Sequence, residues 1–253
     1  MAEKEELLFK KRISELGRLT YQRDIPSYTD FLTLNEQTVF HSIRRELPAV
    51  RFIMTGGYET AERKIVCFLA SYEEEETAVL PISVIKAEPV SHRFAQELTH
   101  RDYLGALMNL GVERSMLGDI LMNENGCFIY CLTKMAEYIS RELVKVSHTP
   151  VRCEIVADPA IIPEPKFEEI TGSVASIRLD NLISLAFKTS RTKVIPYIEG
   201  EKVFVDGRAV TSAGTRLKEG EIVSVRGLGK FLYAGITNET KKGRFYVTVK
   251  KYS

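Results

Sequence analysis

Ser190, Arg191 and Lys193 open a segment with helical spacing, directly after Lys188 and Thr189, and that combination is suited to holding phosphate. The first amides of a helix have no partner inside it, and the helix dipole adds positive character there, so N–H groups and the two cations act on one anion. A second cationic segment, Arg226-Gly227-Leu228-Gly229-Lys230-Phe231, sets two glycines, two cations and a ring at the end of a strand. A nucleoside-triphosphate loop needs Ser or Thr after the lysine and then a helix; here Phe231 and strand-like sequence follow, so a loop that tracks an RNA backbone fits better. His100-Arg101-Asp102, with Arg114 further on, is a third candidate: an RNA or domain contact at a helix start, or a plain cap. The same tripeptide occurs in kinase catalytic loops, but the lysine, glycine-loop and metal-binding partners are missing at kinase spacing. Cys67, Cys127, Cys131 and Cys153 contain no Cys-x-x-Cys pair, which points to buried thiols and to no metal.

Charge sharpens this pattern. The formal net charge of the 253 residues is only +1. From Gly172 to Ser253, however, fifteen Lys and Arg face seven Asp and Glu, net +8, while the preceding part carries 20 against 27, net −7. Such a segment attracts phosphate and releases its condensed counterions, which gives a reason to expect nucleic-acid contact there and not over the whole surface. Lys241-Lys242-Gly243-Arg244 and Lys250-Lys251 extend the basic character, with Phe245 and Tyr246 as stacking or core rings. An apolar fraction of 44% with no signal-length or membrane-length apolar run leads to the expectation of a folded cytoplasmic protein.

The elements that must position these residues read as α+β, in three small domains at 1–75, 76–158 and 172–253. The first begins with an amphipathic helix carrying Leu7, Leu8, Ile13, Leu16 and Leu19, interrupted by Pro26. A second helix with Val39, Phe40, Ile43 and Leu47 follows, capped from Thr29 or Asp30, and then two strands at Arg51–Met54 and Ile65–Ala70. Residues 79–156 read as β-α-β-β-α-β, the ferredoxin-like pattern: a strand to Ala87, a helix from Thr99 to Leu110 with a Thr99/Asp102 capping box, and a hairpin across Asn123–Gly126. A helix from Lys134 to Val146 and a last strand complete it. Asp158–Glu169, with Pro159, Pro163 and Pro165 among acidic residues, has the composition of a stiff linker. Beyond it come two short helices joined by the basic turn, then strands around Asp206-Gly207, a two-residue hairpin signal, and Ile222–Val225; Pro196 is expected to kink the second helix.

Arg178-Leu179-Asp180, Ser190-Arg191, Ile198, Gly200, Val203, Val205, Gly207, Val210, Leu217 with Gly220, and Ile222 with Val225 closely resemble the S4-type RNA-binding domain. The resemblance implies an RNA-facing surface on the two helices and the adjoining strand edge, here Arg178, Lys188, Thr189, Ser190, Arg191, Lys193, Lys202 and Arg208. To these the second cationic segment adds Arg226, Lys230 and Phe231. Upstream, Leu98–Met108 through Leu110-Gly111, Arg114, Gly118-Asp119-Ile120, and Gly56-Gly57-Tyr58 with Glu62-Arg63-Lys64 resemble the YlmH-like bacterial family over nearly the whole chain. That likeness implies a three-domain RNA binder. Its similarity to small S4-type ribosome-rescue proteins implies rRNA or tRNA partners on the large ribosomal subunit, and the alternative is an adaptor linked to cell division. The expectation is a monomer without catalysis, cofactor, membrane or small-molecule substrate. Pseudouridine synthases and tyrosyl-tRNA synthetases also carry such domains, but their catalytic parts need more chain than precedes Gly172.

Overall fold

The computed structural model describes residues 3–58, 61–91, 97–157, 162, 167–239 and 243–252. The chain divides into two compact units, Met1–Glu164 and Pro165–Ser253, so the segments expected at 1–75 and 76–158 lie in one unit.

In the first unit, α1 (Glu3–Arg23) is followed by β1 (Ser27–Tyr28), α2 (Leu34–Ile43), β2 (Phe52–Thr55) and β3 (Ile65–Phe68), with the three strands in the order β1-β3-β2. The apolar stripe of α1 is rotated from the expected one. Ile13, Gly17 and Thr20 are buried, with Phe9 and Leu16 packed beside them, while Leu7 and Leu8 are exposed. The cap of α2 is Thr33, whose amide and hydroxyl donate to the Glu36 carboxylate at 2.8 Å each. Thr29 instead accepts the Val66 amide, and Asp30 pairs with Arg12 at 2.8 Å, so both residues first read as caps are engaged elsewhere.

The same unit continues with β4 (Ile82–Pro89), α3 (His100–Asn109), a short 3-10 turn at Arg114–Met116, β5 (Leu117–Asn123), β6 (Gly126–Leu132), α4 (Thr133–Glu142), β7 (Lys145–Val146) and β8 (Thr149–Ile155). The sheet order is β5-β6-β4-β8-β7, every pair antiparallel. Numbered along the chain, the four long strands run 2-3-1-4, which is the expected ferredoxin-like arrangement. The Thr99/Asp102 box is present, the carboxylate accepting the Thr99 amide at 2.8 Å and its hydroxyl at 2.6 Å. One helix is shorter than its apolar pattern predicts: α4 stops at Glu142, and Lys145-Val146 turns back through Ser147 to pair with β8. Val146 is as buried in this hairpin as a helical position would make it, so the pattern alone does not separate the two conformations.

The second unit consists of β9 (Phe167–Val174), α5 (Leu179–Ala186), α6 (Arg191–Glu199), β10 (Val203–Val205), β11 (Arg208–Ala209), β12 (Ile222–Val225), β13 (Gly229–Glu239) and β14 (Phe245–Tyr252), with sheet order β11-β10-β12-β13-β14-β9. Phe167 to Glu169, expected in a linker, form part of an edge strand paired along all of β14. Their carboxylates face lysines across and beside the strand, Glu169 to Lys250 at 3.5 Å and Glu168 to Lys188 at 2.7 Å. The rest of the expected linker lies almost wholly outside the described residues, as do Lys241 and Lys242. Asp206 and Gly207, both at positive φ, make the two-residue turn between β10 and β11 that their sequence predicts. Helix α6 runs unbroken from Arg191 through Pro196 to Glu199.

Candidate RNA-binding surface

The cationic site is organised by a residue of opposite charge. Asp180 is fully buried at the start of α5. Its Oδ1 accepts from Arg178 Nε at 3.1 Å and the Asn181 amide at 2.9 Å; its Oδ2 accepts from Arg178 Nη2 at 3.1 Å, Arg191 Nε at 3.0 Å and Arg191 Nη2. Burial by itself pushes this carboxyl up, but the hydrogen bonds and charges of the two guanidiniums outweigh it and hold the group below the ordinary carboxylate range. A carboxylate saturated in this way orients two arginine heads that remain 41% and 57% exposed. The start of α5 is held in turn by the Leu179 amide on Thr215 O at 2.8 Å and by Asn181 Nδ2 on Ser176 O at 3.0 Å.

Phe187 to Ser190 connect the two helices. Lys188 takes a left-handed conformation (φ 49°), and the Thr189 and Lys188 amides close back onto Ser184 O and Leu185 O, which is the Schellman arrangement with lysine where glycine is usual. Ser190 occupies the cap position of α6 with extended backbone, but its hydroxyl makes no capping bond, contrary to the role expected of it. The first amides of α6 are therefore not closed by their own cap side chain. Lys193 is exposed in that first turn with no ion-pair partner among the described residues. Lys188 is bonded to Glu168, an exposed pair of the kind worth about 0–1 kcal/mol, so a phosphate competes with it readily.

The remaining cations of this unit form separate groups. Lys202 lies beyond the far end of α6, about 13 Å of helix from Ser190. Its ammonium is 5.8 Å from the Tyr197 ring centre, and its carbonyl accepts the Arg226 amide at 2.8 Å. Arg226 stacks over Phe204 at 4.9 Å in a tight turn between β12 and β13, Lys230 sits over Tyr252 at 4.4 Å, and Arg208 is exposed opposite Val205. Phe231, expected among the RNA-contacting residues, is 0% exposed and packs edge-on against Phe187, which corrects that expectation. Strand alternation explains this, because Lys230 and Phe231 must point to opposite faces. A Phe231→Leu variant should lose about 1 kcal/mol of stability in a urea titration and keep its RNA affinity within twofold; a tenfold affinity loss without destabilisation would contradict the burial.

In the first unit, the two family-like motifs meet. The Asp119 carboxylate accepts from Tyr58 Oη at 2.6 Å and from the Glu62 and Arg63 amides at 2.7 and 3.2 Å. Buried Arg63 donates to the carbonyls of Phe31, Leu117 and Arg114, and Arg114 donates to Leu117 O and Gly118 O. Gly118 lets the Phe31 ring close in, since a Cβ there would stand 2.7 Å from it. Arg114, expected as an RNA contact, is half-buried and bonded into a node that joins the amino-terminal segment to the ferredoxin-like sheet. Burial, and then the neighbouring Arg63 charge, push its guanidinium down to about 10. His100 and Arg101 are exposed at the start of α3. Burial also pushes the thiols of Cys67, Cys131 and Cys153 up to about 12, as expected for core thiols. No helix among the described residues is long and apolar enough to cross a membrane.

Asp180 and Arg63 carry most of this organisation, and site reasoning from sequence missed both, although each sits inside a quoted motif. The available signal was an acidic residue within an otherwise basic motif.

Comparisons with known proteins agree with this anatomy. Residues 82–158 match the family model described as "Putative RNA-binding domain in YlmH", and residues 177–223 match the S4 domain. The chain is 27% identical over 252 residues to the "Ribosome-associated protein quality control protein P2" of Bacillus subtilis (strain 168), spanning 98% of this chain and 96% of that protein. Among solved structures it is similar in fold to "Cell division protein ylmH from Streptococcus pneumoniae", at 23% identity and a TM-score of 0.50 over 63% of this chain and 95% of that one. The chain thus carries, in this order, a segment that matches the YlmH RNA-binding domain model and an S4 domain, and over nearly its whole length it is similar to a ribosome-associated quality control protein.

Proposed function

We propose that this protein is a cytoplasmic, non-catalytic factor of ribosome-associated quality control that grips rRNA or tRNA on large ribosomal subunits. The observation that carries the reading is the pair of arginine heads held by buried Asp180 beside the uncapped first turn of α6. Two fixed guanidiniums, the exposed ammonium of Lys193 and open amides form a cradle for consecutive phosphates. The relative from Bacillus subtilis, whose name places it in ribosome-associated quality control, supports the ribosome as the setting. Phosphate contacts of this kind position a protein on folded RNA without reading its sequence, so specificity comes from the shape of the target.

Sucrose-gradient fractionation of cell extract tests this. The protein should travel with free large subunits and leave them as salt rises, and crosslinked RNA recovered from those fractions should be ribosomal or transfer RNA. Recovery only at the top of the gradient, in unstressed and translation-stalled cells alike, would reject it.

A further inference from the structure

We propose that the groove between α3 and the β7–β8 turn is a second RNA-backbone site, where a phosphodiester lies against the helix backbone at Gly105 and is neutralised by Arg101 and Lys145. The proposal rests on the reading of the protein as an RNA binder and adds a contact in the other unit. The groove measures 430 Å³; Arg101, Gly105 and Asn109 line one wall, and Lys145 and Ser147 line the other.

Gly105 is the decisive residue. It lies in the interior of α3, is exposed, and a Cβ built there would meet nothing within 4 Å. Neither packing nor a left-handed backbone requires glycine at this position. A glycine in a helix interior is unfavourable relative to almost any other residue, so its missing side chain benefits only a body that approaches from outside. Arg101 stands one helical turn earlier on the same face. Lys145 and Ser147 face it because α4 ends at Glu142 and the chain doubles back there. Neither cation has an ion-pair partner among the described residues. Asp102, the carboxylate among the lining residues, is engaged by the Thr99 amide and hydroxyl. The Thr99 bonds keep Asp102 ionised, and two cations against this one carboxylate leave the lining net positive, with Asn109 and Ser147 as neutral donors. A phosphodiester suits this geometry: it is a narrow anionic rail that gains from touching a bare helix backbone, and it needs cations on both sides.

The test uses the full chain, crosslinked by ultraviolet light to purified large ribosomal subunits, with nucleotide-bearing peptides identified by mass spectrometry. Adducts are expected on α3 and residues 145–148 as well as on residues 188–193. A Gly105→Leu variant should lose the first set at least tenfold and keep the second. Its thermal midpoint should be no lower than that of the native chain, because leucine is the better helix former and the space is open. Gly105→Ala should raise the midpoint by roughly 3 °C. Unchanged adducts on α3 in the Gly105→Leu variant, native adducts confined to residues 188–193, or α3 crosslinks to ribosomal protein in place of RNA would each overturn the groove while leaving the α6 site standing. Adducts at neither place would overturn both.

Discussion

An Asp180→Asn variant is expected to lose about 2–3 kcal/mol in the unfolding of the carboxy-terminal unit and, although it gains one net positive charge, to bind RNA about five- to tenfold more weakly. The stability loss follows from the partners of Asp180. A fully buried carboxylate accepts five hydrogen bonds, four of them from guanidiniums, and the amide that replaces it turns donor groups toward donors. Breaking a buried pair commonly costs about 3–5 kcal/mol. Here the lower figure applies, because the two arginine heads are about half exposed and can turn to water. The affinity change separates two models. If charge alone held RNA, removing a carboxylate would tighten binding; if the carboxylate matters because it fixes two guanidiniums, binding weakens as their geometry relaxes. Urea titration and filter binding on the same preparation decide it, and tighter binding by the variant would refute the cradle.

The same carboxylate sets an acid limit. Its folded-state pKa is depressed, so its contribution to stability is fully present above the unfolded value of about 4 and is lost as pH falls through the lower folded value. The native unit should therefore lose stability in that acid window, and Asp180→Asn should lose less there because it has no such proton to take up.

Replacing Arg191 and Lys193 together by glutamine is expected to weaken binding to large subunits about 100-fold near 0.1 M salt and to lower the salt slope of log K by about two. Lys193 has no ion-pair partner among the described residues, so its share is electrostatic. Arg191 carries a second role through Asp180, and Arg178 remains to hold that carboxylate in the variant. Neutral replacements are preferable to glutamate at these positions, because a new carboxylate beside buried Asp180 would add repulsion inside the fold and confuse unfolding with loss of contact. Binding measured over a salt series gives both numbers. An unchanged slope would show that RNA docks elsewhere.

Local chemistry made several features legible in the sequence alone. The Thr99/Asp102 box, the Asp206-Gly207 turn, the ferredoxin-like order of elements and the helix start at Ser190 all depend on residues close together in the chain. The concentration of basic charge after Gly172 is likewise a property of composition. What depended on partners distant in sequence was decided only in three dimensions. Arg178 and Arg191 share a buried carboxylate, half-buried Arg114 bonds to carbonyls of its own unit, Phe231 turns inward, and Glu168 and Glu169 are strand residues facing lysines. Hydrophobic periodicity marks which residues are apolar but not which of two faces a strand presents, nor whether Val146 ends a helix or begins a hairpin, since both bury the same side chain. Gly105 shows the same division. Its identity is plain in the chain, but only the empty space around it in the fold removes packing as the reason for it.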